Sequence, residues 1–413
     1  MLFAPASIAL FTLFAQARGE FGHRLPQLIV YALTGSTSAC PTTPGLSNFS
    51  DTALPDPFTF ADGTPVATLD DWTCRQAEVN QLFQLDELGT LPGKPDNLIA
   101  TYSSGKLNIT VTDNGNTISF TPTISLPTTG SGPFPALIAL DGLSFPKPSG
   151  VAVITFTNDD IAAQVDTSSR GQGKFYQLYG SNATASAMMA WAWGVSRIID
   201  ALEITPSASI NTTRIGVTGC SRDGKGALVA GAFEPRIVLT IPQESGSGGT
   251  DCWRLSDYLL STGLDTQTAS EIVQENVWFS KSFEQFANTT VNKLPVDHHM
   301  LAGLVAPRAL FVIDNIGYDW LGPWSSFGCM KSAQRIWQAL GASDSMGFSQ
   351  SANHSHCLFP SSQQPQLTAF INKFLLDIPA NTSIAETAGN YTFDVPGTWD
   401  PWASPNLTTT AEN

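Results

Sequence analysis

The residues best suited to chemistry surround a serine at position 221. This serine lies in Gly219-Cys-Ser-Arg-Asp-Gly224, between an apolar run and a run of small residues typical of a helix. A serine at a strand-to-helix turn exposes its hydroxyl, and the helix amino terminus offers N–H groups to an oxyanion. The second glycine comes one position later than in the usual Gly-x-Ser-x-Gly, and serine is also a common helix cap. The predicted strand before Ser221 favours its interpretation as a nucleophile over its interpretation as a helix cap.

A serine hydroxyl is a weak nucleophile, so it needs a base, and histidine is the usual one. Of the five histidines, His23 falls in an apolar leader. His298 and His299 predict a structural pair, because neighbouring helical side chains point about 100° apart and rarely share a metal ion. The loop that contains His354 and His356 remains, and the resulting order of serine, acid and histidine is that of α/β-hydrolases.

A third group must orient the histidine and stabilise its cationic form. Two carboxylates follow apolar runs that predict strands. Glu244 comes after residues 237–242, and Asp314 comes after residues 309–313. The spacing along the chain does not choose between them.

The elements that position these residues alternate between short apolar runs and helical patterns. Strands are predicted at 135–140, 151–156, 214–218, 237–241, 309–313 and 346–349, and helices at 72–88, 185–202, 226–233 and 366–376. This alternation predicts an α/β fold with a mainly parallel central sheet and helices on both faces. Asn114-Gly115 between the alternating runs 106–111 and 117–124 predicts an antiparallel hairpin at one edge.

Composition limits the function classes. Hydrophobic residues make up 42% of the 413 residues and charged residues only 13%, which predicts a folded core. The formal net charge is −15 and no basic run occurs, so binding to nucleic acid or to an anionic membrane surface is disfavoured. We expect no membrane span and a monomer.

The first residues resemble a secretion signal. Residues 1–17 are almost wholly apolar, Ala15-Gln-Ala17 has the form of a cleavage site, and Thr37-Ser-Ala39 is a second candidate. We therefore expect a leader over 1–39, a catalytic domain over 40–395 and a tail over 396–413. We expect Trp399 and Trp402 in that tail to pack on the domain surface rather than to form a sugar-binding platform.

Cysteines and glycosylation motifs agree with secretion into the extracellular space. The six cysteines contain no Cys-x-x-Cys pair, and an even number in a secreted chain predicts three disulfides. Nine Asn-x-Ser/Thr motifs predict a glycoprotein. These motifs begin at Asn48, Asn108, Asn182, Asn211, Asn288, Asn353, Asn381, Asn390 and Asn406. We expect Asn353 to be unmodified, since a glycan there would crowd the histidine loop.

From Cys40 to about Leu376 the chain resembles the fungal glucuronoyl esterases, or 4-O-methyl-glucuronoyl methylesterases. Five ordered motifs carry the resemblance: Gly219 to Lys225, Ile241-Pro-Gln-Glu-Ser-Gly246, Asp297-His-His299, Asp319-Trp-Leu-Gly322 and the His-x-His-Cys-x-Phe-Pro-Ser stretch from His354 to Ser361. The resemblance implies an α/β-hydrolase fold and a triad of Ser221, Glu244 and His356, the histidine directly before the cysteine.

The same resemblance implies the remaining site residues. Arg222 would help the oxyanion hole, and the glucuronate ring would be held by Lys225, Gln267, Glu275 and Trp320. The implied disulfides are Cys40–Cys74, Cys220–Cys357 and Cys252–Cys329. Physical reasoning agrees for Lys225, because a residue four positions after Ser221 lies on the same face of one helix. The flat face of Trp320 suits a pyranose ring.

The expected activity is hydrolysis of the ester between 4-O-methyl-D-glucuronate on glucuronoxylan and a lignin alcohol, through an acyl-enzyme and without metal or cofactor. Two alternatives stay open. One is another carbohydrate esterase, acting on acetyl xylan or feruloyl esters. The other is a catalytically inactive hydrolase fold that serves carbohydrate binding or adhesion.

Overall fold

The computed structural model describes residues 40–41 and 48–407. The expected leader over 1–39 and its two cleavage sites therefore lie outside the described residues, as do the last six residues of the tail. The described residues belong to one compact unit. No helix within them has both the length and the apolar character needed to cross a membrane.

A single sheet of eleven strands organises this unit. In spatial order it runs β1, β2, β4, β6, β5, β7, β8, β9, β10, β11, and β3 pairs with β2. The strands are β1 Asn97–Ser103, β2 Lys106–Asp113, β3 Asn116–Phe120, β4 Thr123–Ser125, β5 Phe134–Leu140, β6 Ala152–Phe156, β7 Ile210–Cys220, β8 Ile237–Gln243, β9 Ala309–Asn315, β10 Met346–Ser351 and β11 Ala385–Thr387.

The sheet divides into an antiparallel edge and a parallel centre. Strands β1 to β4 pair antiparallel, and β4 joins β6 in the same way. From β6 through β5, β7, β8, β9 and β10 to β11 every pairing is parallel. Parallel strands are covered on both faces, and every residue of β9 is buried accordingly. The prediction of a mainly parallel α/β sheet with an antiparallel edge is therefore confirmed.

Ten α-helices accompany the sheet among the described residues. They are α1 Leu69–Phe83, α2 Lys174–Tyr179, α3 Ala187–Glu203, α4 Arg222–Phe233, α5 Trp253–Ser261, α6 Ala269–Glu275, α7 Glu284–Ala287, α8 His298–Gly303, α9 Pro323–Ala339 and α10 Gln364–Phe374. The apolar α3 has its buried side chains on nearly every side, so it belongs to the core rather than to the surface.

The predicted hairpin turn is present, and two helices differ from the predicted ones. Asn114 and Gly115 both have positive φ, at 48° and 81°, as a tight turn between β2 and β3 requires. The helix predicted over 72–88 is α1 followed by one π-helical stretch over 84–88. The helix predicted at 226–233 starts four residues earlier, at Arg222, directly behind the serine.

Candidate active site

Ser221 occupies the single residue between β7, which ends at Cys220, and α4, which begins at Arg222. Its backbone has φ 60° and ψ −125°, a conformation that is strained for a residue with a side chain. The conformation is held by neighbours, because the Ser221 N–H donates to the Gln243 carbonyl at 2.9 Å. The Ser221 carbonyl in turn accepts from the Lys225 N–H at 3.0 Å. Hydrogen bonds at both its N–H and its carbonyl therefore hold the backbone of the candidate nucleophile in place.

Two glycines explain the unusual spacing of the serine motif. A Cβ at position 219 would overlap the backbone carbonyl of Asp223, in the first turn of α4. A Cβ at position 224 would lie 2.6 Å from the Gln243 carbonyl on the next strand. Because both positions tolerate no side chain, the second glycine belongs three residues after the serine, where the helix passes β8.

Glu244 follows β8 as Ser221 follows β7. The preceding residues, Cys220 and Gln243, are paired in register, so the two side chains start from adjacent points on the same edge of the sheet. Glu244 is fully buried and also has positive φ, at 44°. Its N–H donates to the Ile313 carbonyl at 2.7 Å. A second strained residue therefore sits beside the serine.

His356 lies in the loop after β10 and reaches Glu244. Its Nδ1 is 2.9 Å from Glu244 Oε2, and the N–H of Cys357 donates to the same oxygen at 3.0 Å. The Cys220–Cys357 disulfide brings the Cα atoms of these two cysteines to 5.9 Å, which ties the histidine loop to the serine elbow. Among the described residues, His356 Nε2 has no hydrogen-bond partner. That nitrogen remains available to accept a proton.

The other carboxylate that the sequence left open, Asp314, has different partners. Its Oδ2 accepts from Gln350 at 3.0 Å and its Oδ1 accepts from the Asn315 N–H at 2.9 Å. Burial raises the pKa of Asp314 to about 6, although the Gln350 hydrogen bond opposes this. Of the two acids, Glu244 is the one that contacts the candidate base.

The other loop histidine, His354, packs behind this pair. Its Nε2 lies 3.0 Å from Ser351 Oγ, and its Nδ1 lies 3.3 Å from Asn315 Nδ2. The Nδ1 atom is 3.8 Å from Glu244 Oε1, beyond a good hydrogen bond. His354 therefore borders the carboxylate, while His356 binds it directly.

The Glu244 carboxylate is kept ionised by its hydrogen bonds. Burial by itself raises its pKa, but the bonds from His356, from the Cys357 N–H and from Gln243 outweigh burial and lower the pKa below its usual value. An ionised carboxylate at this place stabilises a positively charged imidazole. The pair has the electrostatics of a general base with its orienting acid.

Three of the predicted sugar-contacting residues are connected to one another, and one of them, Trp320, contacts His356. The Trp320 ring centroid lies 4.9 Å from the His356 ring, and Trp320 is 38% exposed. The Trp320 carbonyl accepts from the Gln267 N–H at 3.2 Å, and the Gln267 amide donates to Glu275 Oε2 at 2.7 Å. An aromatic face therefore lies against the candidate base, and an amide and a carboxylate are linked to that aromatic residue by hydrogen bonds.

Lys225 lies one turn of α4 behind the serine and is buried. Its ammonium donates to the Ser247 carbonyl at 2.6 Å and to the Ser245 carbonyl. Burial lowers the pKa of Lys225, and the nearby Asp251 and Glu275 carboxylates oppose that shift. An ammonium has three protons to donate, so one remains for a ligand.

Comparisons with known proteins agree on one family. The family model "Glucuronyl esterase, fungi" matches residues 109–341. A 4-O-methyl-glucuronoyl methylesterase from Hypocrea jecorina is 57% identical over 378 residues, which are 91% of this chain and 81% of that protein. The solved structure of a glucuronoyl esterase catalytic domain from the same species superposes with a TM-score of 0.85 at 57% identity, covering 88% of this chain and 99% of that one.

The chain belongs to the fungal glucuronyl esterase family. It is accordingly a carboxylic ester hydrolase with the α/β-hydrolase fold, as the motifs had predicted. A further family member, a glucuronoyl esterase variant from Sporotrichum thermophile, was crystallised with methyl 4-O-methyl-β-D-glucopyranuronate. It is 46% identical with a TM-score of 0.84, over 87% of this chain and 96% of that one.

The glucuronyl esterase site also contains a tryptophan that sequence reasoning missed. The Trp278 ring lies beneath two cations, with the Arg222 guanidinium 5.7 Å and the Lys225 ammonium 6.0 Å from its centroid. Trp278 is buried, and its indole N–H donates to Gln164 Oε1 at 2.8 Å. Cation–π contact of this kind holds Arg222 and Lys225 on the serine side of α4. No motif marks Trp278, because it is 53 residues or more from both cations in sequence.

A tyrosine beside His356 was also not predicted from the sequence. The Tyr318 hydroxyl accepts from the His356 N–H at 3.3 Å, and its ring is 5.7 Å from the Trp320 ring. Tyr318 precedes the Asp319-Trp-Leu-Gly322 motif by one position. That adjacency was the only signal in the sequence that could have pointed to it.

The three disulfides of this glucuronyl esterase are the pairs that the resemblance implied: Cys40–Cys74, Cys220–Cys357 and Cys252–Cys329.

The two adjacent histidines are structural. His298 Nε2 lies 2.7 Å from Glu87 Oε1 and its Nδ1 2.6 Å from the Gly249 carbonyl, while His299 Nε2 lies 2.8 Å from the Pro55 carbonyl. Both rings are fully buried, so the prediction of a satisfied structural pair is confirmed. Over the part of the chain that the structure describes, no three His, Cys, Asp or Glu side chains are grouped to hold a metal ion.

Proposed function

We propose that this protein hydrolyses esters of 4-O-methyl-D-glucuronate with Ser221 as nucleophile, His356 as base and Glu244 as the orienting acid. The observation that carries the proposal is the position of His356. Its Nδ1 binds a buried, ionised carboxylate, and its loop is bonded covalently to the serine elbow. Its Nε2 has no partner among the described residues.

The reaction follows from this arrangement. Ser221 Oγ attacks the ester carbonyl while His356 Nε2 takes the hydroxyl proton, and Glu244 stabilises the resulting cation. The oxyanion is met by the amino terminus of α4, where the N–H of Arg222 comes directly after the nucleophile. His356 returns the proton to the departing alcohol. Water then cleaves the acyl-enzyme by the same route and regenerates the serine.

The glucuronate ring would lie between Lys225 and Trp320. The remaining Lys225 proton can be donated to a sugar oxygen, and the exposed Trp320 face packs against the pyranose ring. Gln267 and Glu275 offer an amide and a carboxylate for hydroxyl groups. The names of the relatives support this choice of sugar, and one of those relatives was crystallised with a methyl glucuronate ester.

The natural alcohol in our proposal is a lignin alcohol, bound through its ester to the glucuronate side chain of glucuronoxylan. Trp320 is exposed beside His356, so the leaving alcohol can extend outward from the cleft. We further propose that the enzyme acts outside the cell. Its three disulfides support this, since such bonds persist in oxidising surroundings.

The test compares kcat/KM for the methyl and benzyl esters of 4-O-methyl-glucuronate with that for an aryl acetate and for methyl ferulate. We expect preferential hydrolysis of the two glucuronate esters. Faster turnover of the acetate or the ferulate would favour another carbohydrate esterase. No turnover of any ester, together with no covalent labelling by a fluorophosphonate, would instead identify an inactive binding protein.

A further inference from the structure

A second pocket lies apart from the serine, where the carboxyl-terminal tail crosses the protein surface. It has a volume of about 330 Å³ and is lined by Tyr258, Trp324, Thr392, Phe393, Asp394, Thr398 and Trp399. Tyr258 belongs to α5 and Trp324 to the first turn of α9. The other five lie near the end of the chain, and two of them, Thr398 and Trp399, belong to the tail. Four of the seven residues are aromatic, which is a high proportion for an open surface.

The aromatic walls are held in place before any ligand arrives. The Tyr258 ring is 5.7 Å from the Trp324 ring and 5.1 Å from the Trp399 ring, and the second pair is nearly perpendicular at 62°. The Trp324 indole N–H donates to the Thr392 carbonyl at 3.1 Å, and its ring contacts Phe393 at 5.6 Å. A preformed site loses little conformational freedom on binding.

The remaining lining is polar and carries a negative charge. Asp394, Thr392 and Thr398 are exposed, so a carboxylate and two threonines border the rings. None of the described residues that line the pocket is a lysine or an arginine. Apolar ring faces with a few polar groups are the usual lining of a small-molecule site, and 330 Å³ is within the usual size range.

The chemistry of this lining suits an uncharged sugar better than a glucuronate or a lignin aryl group. A pyranose without a carboxylate packs its ring against tryptophan or tyrosine and donates its hydroxyls to Asp394. A glucuronate would place a second negative charge beside Asp394 without a cation to offset it. A lignin aryl group would contact the rings, but it has few hydroxyls to donate to the carboxylate and the threonines.

The pocket is close to the catalytic cleft. Trp324 follows Trp320 by four residues, so their Cα atoms lie within roughly 14 Å of each other. Trp320 in turn contacts His356 at 4.9 Å between ring centroids. A polysaccharide whose side chain occupies the cleft therefore needs to extend only a few sugar units to reach Tyr258.

We propose that this pocket is a binding site for the uncharged xylose backbone of glucuronoxylan, separate from the site that holds the glucuronate. The identity of the polysaccharide rests on the proposed function, whereas the selection of a neutral pyranose rests on the lining alone. The sequence predicted that the tail packs on the domain surface, and its two tryptophans have different surroundings. Trp402 is buried against Arg335, whose guanidinium carbon is 3.8 Å from the ring centroid, and Trp399 faces the pocket.

The experiment measures binding of unesterified xylohexaose to the full chain that carries Ser221→Ala, by calorimetric titration. Tyr258→Ala is the test variant and Leu260→Ala the matched control. Both side chains are on α5, with 44% and 43% exposure, and only Tyr258 lines the pocket. We expect saturable binding that weakens about tenfold or more in Tyr258→Ala, the loss typical of an aromatic anchor. Leu260→Ala should bind as tightly as the parent, and thermal unfolding checks that both variants fold.

Three results would overturn the proposal: no saturable binding of xylohexaose, equal weakening in the two variants, or binding of a phenylpropanoid alcohol in place of the sugar. A further contrary result concerns Asn390, whose sequon ends at the pocket residue Thr392. Binding that appears only after Asn390→Gln would mean that the protein's own glycan fills the site. Because the ligand has no ester, failure of the hydrolysis proposal would leave this measurement unaffected, and the reverse also holds.

Discussion

The Nδ1 atom of His356 donates to Oε2 of Glu244 over 2.9 Å, although the two residues are 112 positions apart in sequence. Two independent connections support this contact. The N–H of Cys357 binds the same oxygen, and the disulfide of Cys357 with Cys220 brings the histidine loop to the serine elbow. The proposed triad thus depends on one disulfide and two hydrogen bonds that converge on the histidine loop.

Removing the charge of Glu244 should lower kcat far more than removing the charge of Asp314. Glu244→Gln is expected to lower kcat on a glucuronate methyl ester by about 10³-fold or more, since an amide neither orients the imidazole correctly nor stabilises its cation. Asp314→Asn, the matched control, should lower kcat far less, because Asp314 binds Gln350 and Asn315 rather than His356. A greater loss at Asp314 would reverse the assignment.

Asp314 should instead influence stability through pH. Its folded-state pKa of about 6 exceeds the unfolded value near 3.9, so the folded protein binds the proton more tightly. The resulting stabilisation, on the order of 2–3 kcal/mol, is complete below pH 4 and is lost as the pH rises through about 6.

Asp314→Asn should remove that dependence. Urea unfolding between pH 4 and 7.5 would show a flatter profile for the variant than for the parent. The Oε1 atom of Gln350 has no partner among the described residues and can accept from the new amide. Parallel profiles for variant and parent would show that the carboxyl keeps its usual pKa.

The two loop histidines should not be equivalent. His356→Ala is expected to abolish measurable turnover, because in the proposed mechanism it removes the group that takes the serine proton. His354→Ala should keep most of the activity, since His354 lies 3.8 Å from Glu244 and its Nε2 is bound to Ser351. Steady-state kinetics on one glucuronate ester would decide, and equal losses would contradict the roles assigned here.

Some elements of the fold were predictable from the sequence, and others were not. The Asn114-Gly115 turn was predictable from two residues, because only a tight turn explains Asn-Gly between alternating apolar runs. Strand β1 was not predicted. Its residues alternate only between exposed and half-buried positions, so no strong apolar pattern marks it.

The choice of the acid lay beyond local pattern. Glu244 directly follows the buried parallel strand β8, whereas Asp314, expected to follow its strand, is the penultimate residue of the buried parallel strand β9. Only Glu244 contacts His356, which comes 112 residues after Glu244 and 42 residues after Asp314. The family motifs supplied this choice, and the contact of His356 with Glu244 agrees with it. Trp278 had no such motif, since its place beneath Arg222 and Lys225 arises only from tertiary packing.

Lys225 should distinguish sugar esters from simple ones. Lys225→Ala is expected to lower kcat/KM for a 4-O-methyl-glucuronate ester by about 1–3 kcal/mol, the range for losing a charged hydrogen bond. An aryl acetate should lose much less, because it has no sugar for the ammonium to bind. A matching loss with both esters would mean that Lys225 serves the elbow by holding the Ser245 and Ser247 carbonyls.

The nucleophile is tested most directly by Ser221→Ala. Turnover of the methyl ester of 4-O-methyl-glucuronate would be measured beside far-ultraviolet circular dichroism and the thermal midpoint. Replacing a hydroxyl by hydrogen at this elbow removes one atom, so we expect an unchanged spectrum with a loss of about 10³-fold or more in kcat. A folded variant that retains turnover near that of the parent would contradict the assignment of Ser221, and with it the proposed mechanism.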